Sequence, residues 1–198
     1  MMAHLIINQF QKIFTMKKFL FVPILLLFVG LTANSQNYIT RNGNISFYSH
    51  TPLEDIKAEN NEAVSVLNVS TGALEFKVAV KSFHFAKTAM EDHFNNDDYM
   101  ASGKYPKAGF DGKITNISSV DFSKDGVYKV TVSGDLTIRD VTKPITAQGT
   151  IKVNGGVVTI ASTFTIKRKD YNVIGEAFVQ KKISEDIEIT VNCQYEKQ

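Results

Sequence analysis

The chain has 198 residues, with 22 Lys and Arg against 20 Asp and Glu, 43% hydrophobic residues and one cysteine. A charge balance this even excludes a strongly basic nucleic-acid-binding protein. A single cysteine excludes an internal disulfide framework, so packing must carry the stability.

Lys17-Lys18 precede a 13-residue apolar run, Phe19–Leu31, and Ala33-Asn34-Ser35 puts small residues at the two positions a signal peptidase reads. This pattern predicts a secretory signal peptide cut near Ser35/Gln36, and the run is short for a membrane span. The alternative is an uncleaved N-terminal anchor. Met16, directly before the lysines, is the expected start, which makes residues 1–15 an upstream extension. The first 35 residues carry three lysines and no acid, so the basic excess leaves with them. Residues 36–198 then form a single domain, periplasmic or secreted. It has no membrane span after cleavage and no cysteine near the cut to take a lipid.

Asn44–His50 alternates, with Ile45 and Phe47 on one face. Pro52–Asn61 reads as either a loop or one helical turn. Ala63–Val69 is strand-like, with Val64 and Val66 on one face and Leu67 and Val69 on the other. Ser70-Thr71-Gly72 marks a hairpin turn. Leu74, Phe76, Val78 and Val80 then alternate against Glu75, Lys77, Ala79 and Lys81, the clearest half-buried strand in the chain.

Phe85, Ala89, Met90 and Phe94 follow helical spacing instead, which predicts one short helix near residues 86–94. After it, Tyr105-Pro106 restarts an extended chain and Phe110–Ile117 reads as a strand. Lys124-Asp125-Gly126 is a turn. Tyr128, Val130, Val132, Leu136 and Ile138 line one face of a long strand, in which Gly134 suggests a bend or bulge. Arg139–Pro144 reads as a turn. Ile145 to Val153 continue the alternation, Asn154-Gly155-Gly156 is a strong hairpin signal, and Val158 to Ile166 alternate again. Tyr171–Lys182 shows few clean alternations and reads as an irregular strand pair. Ile187, Ile189, Val191 and Cys193 share one face of the last strand, which makes Cys193 a small buried hydrophobe.

About eight strands joined by short turns favour an all-β, antiparallel up-and-down barrel with one helix. A barrel of that size can be filled by side chains or can hold one small ligand. The small inward residues Ala147, Gly149 and Ser162 fit either a cavity or tighter packing.

Two stretches carry a specific resemblance: SFHFAKTAMEDHFNNDDYMASGKYPKAGFDGKI, from Ser82 to Ile114, and LTIRDVTKPITAQGTI, from Leu136 to Ile151. With the motif order around them, from about Asn42 to Glu196, the chain resembles the YceI-like family. Arg139-Asp140 stands where that family more often has His-Gly. The resemblance implies an eight-stranded, extended, lipocalin-like antiparallel barrel outside the cytoplasm. It also implies a polyisoprenoid or similar long amphiphilic lipid in the lumen, no shared catalytic centre, and pairing into a homodimer in some members.

On that footing the expected tail contacts are Phe76, Val78, Val130, Val132, Ile160, Phe164 and Ile189, each of which could equally be plain core. Met90 and Phe94 are the expected helical cap, and methionine adapts readily to a flexible tail. The head-group candidates are His84, with inward parity at its strand end, His93 beyond the helix, and Arg168 within a basic Lys-Arg-Lys run. No GxSxG elbow, HExxH pair or phosphate loop is present, so no catalytic residue, metal site or cofactor is expected. Two other classes remain: an enzyme acting on an isoprenoid- or quinone-like molecule through His84 or His93, and a structural or stress-related module that recruits a partner.

Overall fold

The computed structural model describes residues 36–177 and 180–198. The expected signal peptide and upstream extension lie outside them. The strands are β1 (Asn37–His50), β2 (Asp55–Asn68), β3 (Ala73–Ala79), β4 (His84–Phe85), β5 (Lys107–Ile114), β6 (Gly126–Ile138), β7 (Val141–Asn154), β8 (Val157–Lys167) and β9 (Asp186–Lys197), and the helix α1 spans Thr88–Asn95. Eight strands run in the order β1-β9-β8-β7-β6-β5-β3-β2, and β1 pairs with β2, so the antiparallel sheet closes on itself. The two-residue β4 is an addition, paired with Ala58 and Glu59 of β2.

The strand ends sort into two ends of the barrel. One end holds the short connections 69–72 and 155–156, the longer 115–125, and both ends of the described chain. The other collects 51–54, 80–106, 139–140 and 168–185, including the helix. Side chains divide the interior in the same way. Tyr38, Leu67, Leu74, Ile151, Val158 and Tyr195 belong to a packed cluster at the short-turn end. Tyr195 donates its hydroxyl hydrogen to Ser65 Oγ at 2.6 Å, and Ser65 in turn donates to the Glu75 carbonyl at 2.7 Å, which satisfies a phenol that is otherwise buried.

Several expectations change. The first strand begins at Asn37, seven residues early. Most of 52–61, expected as a loop or one helical turn, is strand, because β2 starts at Asp55. Its inward positions there are Ile56, which lines the interior cavity, Ala58 and Asn60, and the Asn60 side chain is fully buried, donating to the Ala79 carbonyl and accepting from the Glu62 N–H. The Arg139–Pro144 turn shrinks to Arg139-Asp140, and Pro144 lies in β7 opposite Asp135. Its missing N–H is tolerated because the β7–β8 ladder ends at Gly149 and Ser162. The described residues of the 171–182 stretch form no strand pair. Gly134 marks no bulge: it sits in unbroken register opposite Gly112, where the ring of Phe110 occupies the space a Cβ would need.

The bulge lies in β1 instead. Register slips on both sides of Gly43, and a Cβ there would sit 2.6 Å from Sγ of the fully buried Cys193. Burial pushes the Cys193 thiol up to about 12 from its ordinary 9.0. Two outcomes follow. Gly43→Ala should destabilise the barrel by about 1–3 kcal/mol in urea titration, and Cys193→Ala in the same chain should recover part of the loss. The folded chain keeps the thiol proton between about 9 and about 12 whereas the unfolded chain releases it. Stability measured by denaturant titration should therefore fall as pH rises through that window.

A half-hollow barrel under a loop-built roof

Every titratable or apolar side chain of interest hangs on the rigid barrel wall or on the long connections at the helix end. Between them lies a cavity of about 320 Å³. Phe76 and Val78 of β3, Val132 of β6, Ile160 and Phe164 of β8, and Ile189 of β9 all line it. These are six of the seven expected tail contacts. Val130 is the exception: it is packed into the cluster at the short-turn end, two residues too deep to reach the cavity.

Helix α1 has eight residues, none buried, and no side-chain N-cap. A helix that short does not hold itself together in water. Four phenylalanines hold it here. Phe94 stacks on Phe47 at 5.4 Å between ring centroids and meets Phe83 at 5.7 Å and Phe85 at 5.1 Å. Such ring pairs add about 0.5–1.5 kcal/mol each beyond burial. Met90 and Phe94 lie four residues apart, share a helix face and both line the cavity.

The two histidines part company. His93 lines the cavity. His84 does not: its side chain is 70% exposed, with Nδ1 3.6 Å from Glu91 Oε2. The inward parity expected for His84 fails because the 3-10 turn Val80–Ser82 resets the alternation, so that Phe83 turns in instead. Among the described residues no three His, Cys, Asp or Glu side chains gather as metal ligands.

Arg168, the third head-group candidate, turns inward. Its neighbours Lys167 and Lys169 are exposed and ion-paired to Asp186 and Glu185, whereas Arg168 is 4% exposed and lines the cavity. Nε donates to the Ser184 carbonyl at 3.0 Å, and Nη1 to the carbonyls of Val173 and Ile174. Burial lowers its pKa from the ordinary guanidinium value, with Glu185 acting in the opposite sense. Sequence offered one signal for it: Val158, Ile160, Ser162, Phe164 and Ile166 all point inward, and 168 continues that parity. Tyr99 and Tyr171 also line the cavity, and burial raises both phenols. Nothing in the sequence pattern marked these two tyrosines.

Arg139 ties the roof together. It adopts a left-handed backbone (φ 55°) at the β6–β7 turn, and Nη1 donates to the carbonyls of Tyr99 and Asn172, both at 2.6 Å. The Gly175 N–H donates to the Asp98 carbonyl at 2.9 Å, joining the same two loops directly.

The family model described as "YceI-like domain" matches residues 37–195. Protein YceI of Escherichia coli O6:H1 is 30% identical over 121 residues, 58% of this chain and 56% of its own length. The chain thus spans about half the length of the curated relatives it matches. Two solved structures share the fold. One is a polyisoprenoid binding domain from Saccharophagus degradans implicated in plant cell wall breakdown, with TM-score 0.71 and 13% identity over 83% of this chain and 99% of that one. The other is BcnA of Burkholderia cenocepacia, with TM-score 0.64 and 20% identity over 78% and 96%.

If Arg139 is the latch between the two roof loops, Arg139→Ala should speed amide exchange at Gly175 by about tenfold or more, since hydrogen bonds from a charged donor are worth about 1.5–3 kcal/mol. Exchange in β6 and β7 should stay unchanged. Mass-detected hydrogen exchange reads both.

Proposed function

We propose, from the premise that the chain belongs to the YceI-like family, that it holds one isoprenoid-like or similar long-chain lipid in its barrel and carries it outside the cytoplasm. The observation that supports this most is the uneven filling of one closed barrel. The short-turn end is packed solid, and the helix end keeps an apolar cavity of about 320 Å³ walled by phenylalanine, valine, leucine and isoleucine. That size and wall suit an apolar ligand.

The driving force would be burial. About ten hydrocarbon groups moved from water into such a space gain about 8 kcal/mol gross. That alone approaches micromolar affinity before ordering costs are subtracted. The Saccharophagus relative's polyisoprenoid binding points the same way. The Lys17-Lys18, Phe19–Leu31 and Ala33-Asn34-Ser35 pattern supports export.

Binding without turnover fits the wall better than catalysis. A hydrolytic or transfer reaction needs a positioned base beside a nucleophile or an oxyanion site. Of the two histidines weighed for that task, His84 is turned to solvent, and His93 is the histidine left among the described lining residues.

Protein purified without detergent should release a long-chain lipid on solvent extraction, detected by mass spectrometry. Ala147→Phe, which places a ring in the cavity from the β7 wall, should weaken displacement of a fluorescent lipid probe by about tenfold or more while the circular dichroism of the barrel is kept. A wild-type protein that yields no lipid and takes up no probe would refute the carrier reading.

A further inference from the structure

Toward the roof, the barrel wall is split between β7 and β8. Their ladder starts at the short-turn end and stops at Gly149 and Ser162. Beyond that pair, β7 is bonded to β6 and β8 to β9, but not to each other. The side chains keep to the same division. Thr142, Thr146 and Gln148 of β7 share hydrogen bonds with Thr137, Ser133 and Thr131 of β6. Thr163 and Lys167 of β8 bond Thr190 and Asp186 of β9. Each of them turns away from the split. The last bond across it runs from Ser162 Oγ to the Gln148 carbonyl at 2.7 Å, so a side chain finishes the ladder.

The split has a polar rim and an apolar throat. Thr142, Thr146, Gln148, Thr163 and Thr165 are exposed along its edges. Behind them Ile145 and Ala147 of β7 and Phe164 and Ile166 of β8 line the cavity. An open strand edge ordinarily invites pairing with another chain. Here Pro144 brings no N–H, and Lys143 and Lys167 flank the edges, features that blunt them against a foreign strand. At the upper end the Arg168–Tyr171 turn packs on both strands. Lys143 reaches Asp170 at 3.1 Å, and Arg139 donates to the Asn172 carbonyl. The Lys143–Asp170 pair is 41% and 49% exposed, which makes it a weak tie.

We propose that the β7–β8 split is a side opening of the lumen, through which the lipid passes between the two strands. This rests on the lumen holding a lipid at all. Parting the strands above Gly149 and Ser162 breaks no ladder bond, whereas parting two bonded strands gives up a row of N–H to carbonyl bonds. A long chain can slide sideways into the apolar throat while its polar end stays in water at the threonine rim. It does not have to thread the roof that Arg139 ties together.

The test follows the rates at which the lipid-extracted full chain takes up and releases a fluorescent lipid probe. Thr146→Cys with Thr165→Cys puts one thiol on each rim, at positions that face each other when the register of Gly149 and Ser162 is continued. A short bis-maleimide then staples the split. Cys193 is fully buried and stays out of the reaction. The stapled protein should take up and release the probe about tenfold or more slowly than the same protein unstapled. Its Kd should change by less than about twofold, because a route sets rates and not the equilibrium. Thr137→Cys with Thr142→Cys, stapled across the bonded β6–β7 ladder at the same end, should leave both rates unchanged. Lys143→Met needs no staple. It loosens the upper end of the split and should speed both rates about two- to fivefold. Exchange as fast in the stapled protein as in the unstapled one, or equal slowing by both staples, overturns the side opening and leaves the lumen reading standing. Where the staple does not form, unaltered rates in Lys143→Met overturn it. A wild type that takes up no probe overturns the lumen reading itself.

Discussion

Closure of the sheet through β1 and β2 is the constraint on which the rest depends. The ladder runs from Asn37 opposite Asn68 to His50 opposite Asp55, nearly the full length of both strands. Eight closed strands fix the circumference, so the interior cannot collapse to suit its contents. Side chains must fill it or leave it hollow, and the two ends differ. Tyr38, Tyr195 and Leu67 reach across and pack solidly at the short-turn end. Toward the helix, phenylalanines line the wall instead, and their rings stack with one another around Phe47 and Phe94 rather than across the lumen. Closure itself needs a local irregularity. β1 slips register at Gly43, where the strand backbone comes so near Cys193 and Ala63 that no side chain fits.

The roof follows a different logic from the wall. Its pieces share no ladder, and two arginines join them through backbone carbonyls. Arg139 bridges the loops at Tyr99 and Asn172, and Arg168 gathers Val173, Ile174 and Ser184. A guanidinium suits this work because its donors are many, rigid and spread in one plane. Loop carbonyls left over from the barrel ends need partners, and a single planar group can serve two or three. Ser49 adds a further tie, accepting from the Ser184 N–H at 2.9 Å and so joining the 168–185 segment to β1.

How far the sequence could be read depended on whether each strand had one wet face and one dry one. β3, β6, β7 and β8 did, and their alternation shows directly as inward and outward residues. The first half of β2 showed it poorly, because beside Ile56 its inward positions are a small Ala58 and a polar Asn60 whose amide is satisfied internally. Six of the seven wall residues were legible by parity, but parity says nothing of depth along the barrel, and Val130 fell on the packed side of that line. His84 misled for the opposite reason. A three-residue 3-10 turn, invisible to a period-two pattern, shifted the phase between Val80 and Phe83. The partners of Arg139 and the neighbour Tyr171 come together through sequence separations and loops that carry no period at all.

The weakest stretch of wall and the polar turn coincide, and this bears on how the hollow end keeps its shape. The β7–β8 ladder stops at Gly149 and Ser162, although β7 begins at Val141 and β8 runs on to Lys167. From there toward the roof the two strands are not bonded to each other, while β7 stays fully paired to β6 and β8 to β9. The turn Arg168–Tyr171 packs against both β7 and β8 at that place, and Lys143 of β7 reaches Asp170 on the turn. An exposed ion pair of this kind contributes little by itself. The carbonyl bonds of the buried Arg168 are stronger and shielded from water. The hollow end therefore trades a ladder for a polar turn. Arg168 and Tyr171 of that turn also line the cavity, so the turn that closes the gap between β7 and β8 belongs to the wall as well as to the roof.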